Sequence, residues 1–237
     1  GVPEAIFDTS MKYGLSAVHH GFMFISQASH KELGDVQRYL FRSQPFNFFA
    51  FNYAEDYVVL PEEPLAIASF NSRIYAWGTN HLYKINPISM VIEDTYEGVT
   101  IANKYAYVKT EWGLFFFDKN NIYMHNGNVP QPIGDAILYA SDTKLKYLNS
   151  SYGTQGYVKI EQGFRELLQE TIKHNVISRI KYLGSKTSIL IFLVNSDKEG
   201  IALVYNLLTK RWDIWEAPVP KSLSGSKETS ILVNDGN

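Results

Sequence analysis

Pro64-Leu-Ala-Ile-Ala-Ser-Phe-Asn-Ser-Arg-Ile-Tyr-Ala-Trp-Gly-Thr-Asn-His-Leu-Tyr-Lys-Ile85 is the stretch that decides the fold. Apolar and aromatic runs at Leu65–Phe70, Arg73–Trp77 and His81–Ile85 are separated only by Asn71-Ser72 and Gly78-Thr79-Asn80. Short β-branched and aromatic runs joined by such turn residues are the signature of consecutive antiparallel strands. A fourth run, Ile88–Thr95, closes the unit.

The same rhythm recurs on both sides. Upstream, Leu15–His19, a turn at His20-Gly21 and Phe22–Gln27 lead through Gly34-Asp35 into Val36–Ser43 and Phe46–Phe51. Downstream come Lys104–Thr110, Gly113–Asp118, a Lys119-Asn120-Asn121 turn and Ile122–His125. The last unit comprises Ile177–Leu183, Ser188–Asn195, Ile201–Asn206 and Arg211–Trp215. Units of roughly 40–50 residues with about four strands each are the size of propeller blades. A single blade is too thin to bury both of its faces, so several must pack side by side. The fold class expected is mainly β: a β-propeller of four-stranded antiparallel blades, with 1–237 as one such domain or part of one.

Gln131 to Asn175 does not read as hairpins and is expected to be an insertion, helical over about 134–175. Ile160, Phe164, Leu167, Leu168 and Ile172 fall on one face of a 3.6-residue period between Ile160 and His174. Gly134 to Leu148 is a weaker helical segment. An amphipathic inserted helix either covers its own core or docks on a neighbour. The candidate interface residues are therefore Phe164, Leu167, Leu168 and Trp215. Tyr13 and Phe46 are further aromatics that could anchor a contact or fill the core between blades.

Composition supports sheet and narrows function. Aromatic residues make up 14% of the chain, with 16 Tyr and 14 Phe, side chains that fit a pleated, half-buried surface. Only 19% of residues are charged, and the formal net charge is -2. That balance supplies no strong positive field for wrapping nucleic acid. The absence of cysteine rules out disulfides and thiolate metal ligation. No apolar run has the length of a membrane-spanning helix, and Gly1–Ser10 lacks the basic-then-apolar form of a secretory signal. A strand ending in Asp235-Gly236 ordinarily turns into a partner strand, so the chain is expected to be a segment of a longer one.

Candidate chemistry is sparse. His19-His20 and His30 lack metal-ligand spacing, because adjacent strand residues point to opposite faces. Asp118-Lys-Asn120-Asn121 resembles the start of a calcium loop, but Tyr123 and Val129 stand where that loop needs a Gly and a bidentate Glu. Asn149-Ser-Ser151 matches a glycosylation acceptor, a sequence common by chance. Glu55, Asp56, Glu62, Glu63, Glu93 and Asp94 are carboxylates of the type a glycosidase pairs, yet no spacing singles out two of them. The Ser-x-Asp-x-Gly-x-x-Trp repeats of sialidases are missing, as are a phosphate-binding loop and a nucleophile elbow. Trp212-Asp213 is a single copy of a dipeptide that carries weight only when repeated. The expectation is no catalytic residue, no cofactor and no metal.

Three stretches together resemble a known family: Tyr39–Tyr53 with the opening stretch, Gly113–Gly127 leading to Pro132-Ile-Gly134, and Ala202–Trp215. Between about Tyr39 and Trp215 the chain is similar to the β-propeller of phage tail nozzle proteins (tail tubular protein B) and to packaged-DNA stabilization proteins of short-tailed phages. The resemblance lies in the succession of strands and turns, and 131–175 departs from it. It implies a structural virion protein, assembled in the host cytoplasm, that forms a homo-oligomeric ring beneath the portal and adaptor. Such a ring retains packaged DNA and conducts double-stranded DNA without reading its sequence, a role that a near-neutral charge suits. The alternative is a carbohydrate-binding propeller for attachment to a host surface.

Overall fold

The computed structural model describes residues 12–30, 33–139, 163–173, 180–194 and 200–216. Its strands form four antiparallel sheets that follow one another along the chain. The first holds β1 (Lys12–His19), β2 (Phe22–His30), β3 (Gly34–Val36), β4 (Tyr39–Gln44), β5 (Asn47–Phe51) and β6 (Tyr57–Val59). Here β1, β2, β4 and β6 pair in succession, while β3 flanks β2 and β5 pairs with the end of β4.

The second sheet is a simple meander of β7 (Ala66–Phe70), β8 (Arg73–Trp77), β9 (His81–Asn86) and β10 (Val91–Glu97). The third is β11 (Tyr107–Thr110), β12 (Gly113–Phe117), β13 (Ile122–His125) and β14 (Gln131–Pro132), followed by helix α1 (Asp135–Leu138). Helix α2 (Phe164–Lys173) precedes the fourth sheet: β15 (Ile180–Leu183), β16 (Ser188–Val194), β17 (Gly200–Asn206) and β18 (Arg211–Glu216).

The leading strands are neighbours from sheet to sheet. β1 packs on β7 and β11 on β15, while the Tyr107 hydroxyl of β11 donates to the Ile67 carbonyl of β7 at 3.2 Å. Middle strands are the most buried, and β10 is largely exposed. The molecule is mainly β, its successive antiparallel sheets packed side by side like the blades of an incomplete propeller. It is neither two facing layers nor an alternation of strands and helices.

Residue alternation along the second blade explains the stacking. Ile67, Ile74, Ala76, Tyr83 and Ile85 share a core with Leu15, Phe24, Leu40 and Leu60 of the first blade. Ala66, Ala68, Tyr75, Trp77 and Leu82 belong to another core, with Leu114, Phe116 and Tyr123 of the third blade and Ile189, Ile191 and Leu203 of the fourth. Neighbouring side chains of one strand thus serve opposite seams, as the two-residue strand period requires.

Turn chemistry matches the expected hairpins. His20 and Gly21 both have positive φ, as do Asn71 and Ser72, the backbone that suits a two-residue hairpin turn. A second device recurs before the last strand of each blade, where Asn52, Asn86, Asn126 and Asn206 stand. The Asn86 side-chain oxygen accepts from the Ile88 and Ser89 amides at 2.9 and 3.1 Å. Asn206 repeats this with Leu208 and Thr209 at 3.0 and 2.9 Å. Asn52 accepts from Ala54, and Asn126 from Asn128. Such Asx turns fold the backbone back without a long loop.

Several sequence boundaries are corrected. Val36–Ser43 is two strands, β3 and β4, because the Gln37-Arg38 turn divides it. The strand expected at Ile88–Thr95 begins only at Val91, since the Asn86 turn claims Ile88 to Met90. β6 was not foreseen, and the expected insertion at 131 begins inside the third blade, with Gln131–Pro132 as its last strand. The expected helix at Ile160–His174 is α2 over Phe164–Lys173, and the weaker one at Gly134–Leu148 is described only as the single turn of α1. Residues 140–148, 160–162 and 174 of these segments, with Gly1–Ser10, Asn149–Ser151 and Ile231–Asn237, lie outside the described residues.

Candidate interface and buried polar sites

Phe164, Leu167 and Leu168 do not form an exposed interface. All three are buried in the largest core with Ile137, Leu138, Ile189 and Leu203, and α2 lies against β16. Their apolar stripe is what a helix needs to cover its own sheet, so the candidate interface at these positions is corrected to an internal seam. The Gln169 side chain ties α2 to the third blade by donating to the Lys119 carbonyl at 3.2 Å.

Trp215 is partly exposed on the last strand. It pairs with Ala202 and packs beside Leu190 and Val204, with the Lys186 ammonium 5.7 Å from its ring centre. Phe46 is 86% exposed and Phe49 78%, both at the β4–β5 hairpin. The Phe46 amide donates to the Gly21 carbonyl at 2.7 Å, which joins two blade-end turns. Tyr13 is also exposed. These aromatics, together with Ile88 at 66% and Leu208 at 65% in the two matching Asx turns, are among the exposed apolar side chains of the described residues.

Each of the six candidate carboxylates has a structural partner. Asp56 receives the Arg42 guanidinium and the Gln44 amide, the latter at 2.9 Å. Arg42 also donates across the first seam to the Pro87 and Ile88 carbonyls, at 3.0 and 2.5 Å. Glu93 accepts from Arg73 and Asn86, and Asp94 from Lys84. Glu55 and Glu63 accept from Asn52 and Gln27.

Glu62 closes the β8–β9 turn. It accepts from the Thr79 hydroxyl and Asn80 amide, both at 2.9 Å, and from His81. A Cβ at position 78 would collide with its carboxylate, so the turn needs Gly78. Burial raises the Glu62 pKa, but the bonds from Asn80, His81 and Thr79 outweigh it and lower the value to about 2.

Asp118, at the start of the calcium-loop-like stretch, serves a turn. It is fully buried, and one oxygen accepts from the Asn120 and Asn121 amides at 2.7 and 2.8 Å. Its carboxylate thus nucleates a hairpin turn, and the Asn121 side chain extends the network to Asp135 and the Gly134 amide. His19 binds Ser69 across the first seam at 2.8 Å, stacks edge-on with His20, and shares no cluster with His30. Among the described residues no group of three His, Asp or Glu could hold a metal ion. No helix among them is long and apolar enough to cross a membrane.

The polar group that the sequence did not single out is His125. It is fully buried between the second and third blades, 4.7 Å edge-on from Tyr75, with Tyr96 and Phe70 completing an aromatic box. Nothing local in the strand Ile122–His125 announces this, because the box is assembled from the preceding blade.

No family model matches the chain, and no curated protein matches it. Among solved structures it is similar to the extracellular domain of a protein described as a one component system of B. thetaiotaomicron, at 9% identity and a TM-score of 0.48. That match covers 85% of this chain and 22% of the other. It is also similar to the Pan2 WD40 domain of Neurospora crassa, at 10% identity and a TM-score of 0.42, covering 87% of this chain and 52% of the other. The chain therefore spans about a fifth and about half of these two proteins. The propeller architecture rests on its own sheets and seams.

Proposed function

We propose that this chain is a non-catalytic structural propeller of a phage tail, a nozzle or DNA-stabilization component that joins copies of itself in a ring around the DNA channel. The observation that carries the non-catalytic part is the occupation of the candidate carboxylates. Glu62 locks a turn, Asp56 and Glu93 hold arginines, and Asp118 builds a hairpin. The viral part rests on the resemblance of the stretch between Tyr39 and Trp215 and on the near-neutral charge. Partners are then adjacent copies and portal, adaptor or other tail proteins, with double-stranded DNA passing through, in a virion assembled in the host cytoplasm. Exposed Tyr13 and Phe46 and the partly exposed Trp215 would serve as anchors for such contacts.

Immunogold electron microscopy of particles from the source organism tests this reading, together with native mass spectrometry of the purified chain. Label at virion tails and a closed homo-oligomer are the expected results. A monomer that binds a glycan array and never labels a particle would favour the carbohydrate-binding alternative and end the proposal.

A further inference from the structure

We propose that His125 is a proton-operated latch on the seam between the second and third blades, closed while its imidazole is neutral and opened when the ring takes up a proton. The ring is 0% exposed, and neither of its nitrogens finds a hydrogen-bond partner among the described residues. The Tyr75 hydroxyl beside it is likewise buried and unpartnered. A buried neutral imidazole in this state is tolerable, whereas a buried cation with no anion in contact is not.

The surroundings offer a proton no compensation. From β8 the ring faces Tyr75, from β7 Phe70, and from β10 Tyr96. From β9 it feels the positive charge of Lys84, which disfavours a second cation. The two β10 carboxylates whose charge reaches Tyr75, Glu93 and Asp94, are already engaged, Glu93 by Arg73 and Asp94 by the Lys84 ammonium at 3.3 Å. Lys84 also reaches the Gly127 carbonyl at 3.3 Å, so the same lysine straps the two blades together just beyond His125. Burial first, and Lys84 second, lower the His125 pKa from 6.5 to about 4.

The sign follows from linkage. Between pH 6.5 and about 4 the unfolded or opened seam binds a proton that the closed seam refuses, so stability falls as pH falls through that window. His19 at the first seam is shifted in the same direction, by burial and then by His20, Arg73 and Lys109. Its effect must be separated from that of His125.

The test is hydrogen exchange of the whole chain at about pH 7.5 and about pH 5, corrected for intrinsic rates, on the wild type, His19→Asn and His125→Phe. The wild type and His19→Asn should lose protection at about pH 5 in peptides covering 70–77 and 113–125. His125→Phe keeps a ring in the aromatic box and should show at least a several-fold smaller loss. An equal loss in His125→Phe overturns the latch. Should that variant not fold, an NMR titration of the His125 ring in the wild type decides. Titration near 6.5 with unchanged exchange overturns the proposal, and titration well below 6.5, coupled to loss of protection, supports it.

Discussion

Trp77 of the second blade stacks on Tyr107 of the third, ring centres 5.5 Å apart and planes 22° from parallel, while the Tyr107 hydroxyl reaches back to the Ile67 carbonyl. One tyrosine therefore makes both the apolar and the polar part of a blade seam. Trp77→Ala empties a fully buried site and should cost about 3–5 kcal/mol. Tyr107→Phe, which keeps the ring and removes the hydroxyl, should cost about 1 kcal/mol. Urea-unfolding midpoints measure both, and equal costs would show that the ring contributes little.

Arg42 is the polar counterpart at the first seam, where one guanidinium serves Asp56 and two carbonyls of the β9–β10 turn. Arg42→Lys keeps the charge but cannot present several donors in one plane. Loss of about 1–3 kcal/mol is expected, and a double-mutant cycle with Asp56→Asn should return a coupling of at least about 0.5 kcal/mol. Independent effects would mean that the pair is incidental.

Glu62 predicts a distinct acid response. Its folded-state pKa of about 2 lies below the ordinary 4.5, so its stabilisation is complete above 4.5 and disappears as pH falls towards 2. Glu62→Gln should therefore be less stable than the wild type near neutral pH, with the gap narrowing below pH 4.5. A gap independent of pH would assign the effect to packing. This window overlaps that of His125 only between about pH 4 and 4.5, so measurements above 4.5 and below 4 separate the two groups.

Leu167 distinguishes a seam from a docking face. Leu167→Ala should destabilise the chain by about 2–5 kcal/mol and leave its association state unchanged in analytical ultracentrifugation. Dissociation of an oligomer with intact stability would return α2 to the role of an interface.

The repeated strands were legible because their signals are local. Each two-residue turn and each apolar run stands in consecutive residues, and Ile122–His125 matches its strand to the residue. What escaped was set from a distance. Ile88 looks like a strand residue until the Asn86 side chain takes its amide, and Val36 and Tyr39 look continuous although a turn divides them. The recurrent asparagine before each closing strand was available as a sequence signal, but single residues in polar turns do not stand out without the hydrogen bonds they accept. Phe164, Leu167 and Leu168 were recognised as a helical stripe, while the surface they cover was fixed only by tertiary packing. The environments of His125 and Glu62 depend on neighbours about 20 to 50 residues away in the chain, and no local pattern encodes them.

Strand β8 gives Ile74 and Ala76 to one interior and Tyr75 and Trp77 to the next. A slip of one residue there would not loosen a single contact surface; it would exchange the contents of two at once. Mutational drift in such a strand is constrained from both sides, so small residues must stay small on one side while the rings are kept on the other. Cutting the chain between blades would carry the same penalty, since either product would present a sheet of aromatic side chains to water.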